Sequence, residues 1–165
     1  MKVFRAMLAG IAGALAMSGT TFLIRQFGIN VSLEWLLGSL LKDEIGLSIW
    51  MTGFILHLVI GVVIALLYAF VFEVLETWGP LLGGGLGVAH GLMAGLFMSA
   101  IPAMNPVVPN AQAPGAFLAH IQYGPVIFLL LHFIFGAVVG LVYGPPVHKH
   151  HPLSEADAIV PGRPV

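Results

Sequence analysis

His132-Phe133-Ile134-Phe135-Gly136-Ala137-Val138-Val139-Gly140-Leu141-Val142-Tyr143 rewrites a segment found 75 residues earlier, His57-Leu58-Val59-Ile60-Gly61-Val62-Val63-Ile64-Ala65-Leu66-Leu67-Tyr68. The shared pattern is H-x3-G-x3-[GA]-L-x-Y. At helical pitch His132, Gly136 and Gly140 fall at i, i+4 and i+8, so a histidine and a strip of small residues share one helix face. His57, Gly61 and Ala65 do the same. Both copies sit in apolar runs of the length a bilayer requires.

A second match joins the other halves. Gly10-Ile11-Ala12-Gly13-Ala14-Leu15-Ala16-Met17-Ser18 corresponds to Gly91-Leu92-Met93-Ala94-Gly95-Leu96-Phe97-Met98-Ser99 at an offset of 81. The two offsets differ by six, so the linking segment is shorter in the second copy. Each repeat is then span, link, span, and two repeats make four helices. The fold class this predicts is an all-α membrane protein, a four-transmembrane-helix bundle built from two tandem helical hairpins. Residues 1–144 form one transmembrane domain, with repeat 1 over about 3–73 and repeat 2 over about 80–144. The spans are expected near 3–24, 47–72, 81–101 and 125–143. An even number of spans separates the copies, so both enter the lipid in the same sense.

Composition agrees. Of 165 residues 59% are hydrophobic and 8% charged, with a mean hydropathy of +1.02. A water-soluble domain of this size has too little interior to hide so much apolar surface. The absence of cysteine excludes disulfides, thiolate metal sites and cysteine nucleophiles. A net charge of −1 with no basic cluster argues against nucleic acid as a partner. The partners expected are the lipid bilayer itself and a second copy or another membrane protein.

The first span, with Lys2 and Arg5 before it and Ala14-Leu15-Ala16 inside it, imitates a secretory signal. Its likeness to the interior span 91–99 favours a retained helix. Residues 31–42 are too few to cross and, with Ser32 as N-cap and Trp35 as an interface residue, predict a short helix lying in the interface of the first outer loop. Thr77-Trp78-Gly79-Pro80 is a tight turn, and Gly144-Pro145-Pro146 stops the last span. The tail, 145–165, is proline-containing and polar and is expected to be disordered. Lys2, Arg5, Lys149 and Arg163 against Arg25 and Lys42 place both termini on the cytoplasmic side of a cell inner membrane.

Small residues recur at every fourth position on all spans, among them Gly10, Gly61, Gly91, Gly95, Gly136 and Gly140. Lipid gives helices no hydrophobic reason to associate, so close backbone approach along such strips is what packs them. His57 and His132 each stand sixteen residues before Glu73 and His148 respectively, roughly 24 Å of helix. Ser18 and Ser99, with Met17 and Met98 beside them, come to a similar level from the opposite direction. These six form a candidate polar or ligand belt. One reading has each imidazole satisfied by a serine hydroxyl or a carbonyl of its neighbour. The other makes His57 and His132 axial ligands of a haem, or part of a His/Met site for Cu(I). His90, whose repeat counterpart is Ala9, lies mid-membrane and is a candidate site on its own, for instance on a proton or small-solute pathway. No paired carboxylate, G-x-S-x-G, H-E-x-x-H or phosphate-cradling loop occurs. The expectation is a non-enzymatic protein of structural or accessory type.

The closing segment, Leu129-Leu130-Leu131-His132 through Gly136-Ala137-Val138, Gly140 and Val142-Tyr143-Gly144, together with the glycine-rich, Met-Ser-containing first span, resembles a group of uncharacterised bacterial integral membrane proteins known only as a domain of unknown function. The likeness spans most of residues 5 to 144 and rests chiefly on the last span. It implies a bacterial inner-membrane protein of four helices and carries no activity with it.

Overall fold

The structure, a computed structural model, describes residues 1–29, 31–41, 47–100 and 124–147, without the side chains of 39–41 and 97–100. Those residues form five helices and no strand: α1 (Val3–Gln26), α2 (Leu33–Leu41), α3 (Ile49–Leu75), α4 (Pro80–Ala100) and α5 (Gly124–Tyr143). By length and composition α1, α3 and α5 can cross a membrane, and α4 is apolar over the shorter stretch Pro80–Leu96. Phe4, Phe27, Leu81, Met93 and Leu96 are all at least 70% exposed. Such an apolar exterior suits lipid and would drive aggregation in water.

Local chemistry sets the helix ends. Ser32 caps α2 by accepting the Trp35 amide (3.2 Å), and Ser48 caps α3 by accepting that of Met51 (3.2 Å). The α3–α4 turn needs left-handed backbone at Glu76 (φ 50°) and an unusual φ of 125° at Gly79, which only glycine adopts without strain. Pro80 then opens α4, where its missing amide has no partner to lose. Gly144 (φ 70°) ends α5 just ahead of the proline pair.

Helix α1 lies between α3 and α5, α4 packs on α5, and α2 packs on α3. The central position of α1 follows from its two small-residue faces. Gly10 meets Gly61, Val62 and Ala65 of α3, while Gly13 meets Phe135 and Val139 of α5. Ala6, Ala9 and Ala14 are fully buried beside them. On α4, Gly83 lies against Gly136 and Gly140, and Gly87 against the backbone of His132. A glycine-lined contact brings backbones close enough for dispersion and weak C–H···O contacts along the seam. Helices α3 and α5 touch only lightly, because Tyr68, Phe72, Phe135 and Tyr143 stand between them. Their rings form a connected aromatic set with centroids 6.0 Å apart for Tyr68–Phe135 and 5.7 Å for Phe72–Tyr143.

One end of the bundle is tied by Glu73. Its carboxylate accepts the Tyr143 hydroxyl proton and the Val147 amide (3.0 Å), and the Met1 amine lies 3.7 Å away. The Lys2 amide donates to the Tyr143 oxygen (3.2 Å), and Lys2 Nζ to the Pro145 carbonyl (3.0 Å). Thus the start of α1 and the ends of α3 and α5 share one end of the molecule. Helices α1 and α4 run in parallel, as do α3 and α5.

The internal match extends to direction but not to register. In the first hairpin Gly10 meets Gly61; in the second, Gly136 meets Gly83 and Gly87, four to eight residues before Gly91. That is a slide of one to two turns, roughly 6–12 Å. Helix α5 ends at Tyr143, so the sixteen residues counted from His132 to His148 run past the end of that helix. The predicted tail beyond Val147 lies outside the described residues.

Candidate ligand cavity

The aromatic set fills the Glu73 half of the bundle. Toward the α2 end the residues facing inward shrink to Gly61 and Ala94, α3 and α4 hardly meet, and a partly enclosed cavity of about 490 Å³ occupies the gap. Its walls come from all five helices. Met17 of α1 and Phe128 and Phe135 of α5 form one side, Leu33, Leu36 and Leu37 of α2 another. Ile60 and Ile64 on α3 and Met93 on α4 form the edge, and Ile60 and Met93 are also exposed on the bundle surface, by 41% and 70%. The gap therefore opens sideways between α3 and α4.

Among the described residues three histidines are the only polar lining: His57, His90 and His132. His57 is held by α1, its Nδ1 sharing a 3.2 Å hydrogen bond with Ser18 Oγ. An interhelical bond of this kind contributes about 0.6–1 kcal/mol in a membrane. His132 is held within its own helix, its Nδ1–H donating to the Phe128 carbonyl at 2.7 Å. A carbonyl only accepts, so that proton is on Nδ1 and Nε2 of the neutral ring carries a lone pair. The His90 ring stands edge-on to His132, centroids 5.0 Å apart, and 6.3 Å from Tyr68. His90 Nδ1 and the Tyr68 hydroxyl are buried with no hydrogen-bond partner among the described residues.

The expected belt thus divides. Ser18 and His57 meet, and Met17 lines the same cavity as His57 and His132. On the other hairpin the slide sets Gly91, not Ser99, beside the His132 ring. Ser99 is eight residues further along α4, roughly 12 Å. The side chains of Met98 and Ser99 lie outside the described residues. His90, expected to act alone, instead contacts His132. Gly95 approaches Phe128 at ordinary van der Waals distance. Three features escaped the pattern reading: Tyr68 beneath His90, the second small face of α1 at Gly13, and the α2 residues closing one wall. A signal for the last was present in Gly38 and Gly53, whose backbones meet as α2 crosses α3.

Among the described residues no three His, Asp or Glu side chains converge as a metal site requires. The His90–His132 pair is in ring contact and leaves no room for a porphyrin between them. His57 and His132 are the other pairing, each with Nδ1 hydrogen-bonded, as the second ring nitrogen of a metal-ligating imidazole commonly is. Among the described residues no cavity-lining one comes from the half of the bundle between Tyr68 and Tyr143, so the cavity stops at the aromatic set. Compared with known proteins, the chain matches no family model, no curated protein and no solved structure.

Proposed function

We propose that this chain is an accessory, non-enzymatic protein of a bacterial inner membrane that holds a small lipophilic molecule in the cavity between α3 and α4. Its four apolar helices cross the bilayer as two tandem hairpins inserted in the same sense, with both termini cytoplasmic. The observation that carries this reading is the cavity: about 490 Å³, with ten apolar side chains and Gly61 around three imidazoles. Small-molecule sites fall in the range of roughly 300–1,000 Å³ and combine an apolar lining with a few convergent polar groups. A sideways opening at the apolar surface gives such a ligand a route from the lipid.

Binding is tested with N-phenyl-1-naphthylamine added to purified protein in nanodiscs. One dye per chain is expected, and Ala94→Phe, which fills the space, abolishes it without lowering thermal stability. Saturation unchanged in Ala94→Phe would remove the cavity from the account. The haem or Cu(I) reading is favoured by His57 and His132 lining one cavity with each Nδ1 hydrogen-bonded. It requires a visible band or bound copper that both His57→Ala and His132→Ala lose. A colourless, metal-free preparation leaves the lipophile reading.

Orientation is open to a direct test because the chain lacks cysteine. A membrane-impermeant maleimide applied to intact cells should label Phe27→Cys and spare Thr77→Cys, both positions being exposed. The opposite pattern inverts the topology.

A further inference from the structure

We infer that the ligand is a ring-headed lipid phenol of the hydroquinone type, bound in its reduced form in preference to the quinone. The inference rests on the reading of the cavity as a ligand site. It follows from hydrogen-bond accounting at His132. With its Nδ1 proton committed to the Phe128 carbonyl, the neutral ring of His132, which lines the cavity, keeps a second nitrogen that can only accept. A head group that engages His132 must therefore bring a donor. An alkane, ester or quinone carbonyl brings none, and a carbonyl would set one lone pair against another. A phenolic hydroxyl donates to His132 Nε2 and keeps its own oxygen as an acceptor. His90, one ring contact away, lines the same cavity.

Shape points the same way. Phe128 and Phe135 line the cavity together with His132, the Phe128 and His132 rings being 4.3 Å apart by centroid. A planar aromatic head stacks on such rings better than an aliphatic one. The edge of the cavity is aliphatic, with Ile60, Ile64 and the adaptable side chain of Met93, and it faces the bilayer, where an isoprenoid or alkyl tail continues outward. The hydrophobic tail and polar head thus meet the surfaces that suit each.

The experiment uses the full chain in nanodiscs of saturated phosphatidylcholine, titrated anaerobically with decylubiquinol, decylubiquinone and 1-decanol. Decylubiquinol is expected to bind about tenfold or more tighter than the quinone, the cost of leaving a buried acceptor unpaired. His132→Leu should erase that preference while retaining tail-driven binding, and Ala94→Phe should remove both. Quinone bound as tightly as quinol, decanol bound as tightly as either, or a preference that survives His132→Leu overturns the head-group assignment alone. No saturable binding of any probe overturns the cavity reading with it.

Discussion

Gly136→Leu is expected to cost the folded bundle about 3 kcal/mol or more, enough to lower an apparent melting temperature by roughly 6–12 °C for a chain of this size. A Cβ at position 136 would run into the Gly83 carbonyl and come within 3.0 Å of the Gly87 Cα. Both obstacles are backbone, and backbone held in a helix cannot rotate away as a side-chain tip can. The α4–α5 seam would have to part along its length, since Gly140 and Gly87 make the same kind of contact on either side. Gly85→Leu is the control. Nothing lies within 4 Å of a Cβ there, and replacing glycine in a helix is favourable by propensity, so its thermal curve should match or exceed the parent's. Equal melting temperatures for the two variants would mean that α4 and α5 do not pack through this face.

The second large effect is expected at Gly53, where α2 crosses α3. A Cβ at 53 would collide with the Glu34 carbonyl and stand 2.7 Å from the Gly38 amide nitrogen. Gly53→Leu should displace α2 while the four longer helices keep their mutual contacts. The loss of a docked element by about 3 kcal/mol multiplies its open population roughly a hundredfold. Leu36, 5% exposed on the buried face of α2, reports it. Maleimide labelling of Leu36→Cys should accelerate by about that factor in the Gly53→Leu background, with little change in the melting of the core. An unchanged labelling rate would show that α2 is not held by this crossing. Because α2 forms one wall of the cavity, the same variant should weaken dye binding.

Helix positions were legible in the sequence because length, hydropathy and capping residues are local signals. Ser32, Pro80 and the Gly144-Pro145-Pro146 stop all act within a few residues of themselves. Register was not legible, for a reason visible in α4. Gly83, Gly87, Gly91 and Gly95 repeat every four residues, so a slide by one turn, roughly 6 Å, presents nearly the same surface to α5. A ladder of identical rungs encodes contact without encoding which rung. The internal match pairs Gly91 with Gly10 and therefore expects Ser99 at His132; the packing brings His90 there instead. His90 was noticed because a lone imidazole at mid-depth is costly, yet its partner could be found only once the slide was known. Tyr68 closes the repeated pattern, yet nothing in a linear pattern says that α3 continues to Leu75 and carries Tyr68 inward.

The tie between Lys2, Tyr143 and Glu73, and the seat of α1 against α5, bear on how the protein is made. Helix α1 finds half of its described neighbours in α5, which leaves the ribosome long after it, and α4 has its main described partner there as well. Until the ribosome has passed residue 143, the earlier helices present glycine-rich flanks that nothing covers. A product stalled before α5 would therefore carry the appearance of an orphan to membrane proteases, and the docking of α5 is the moment at which that appearance is lost.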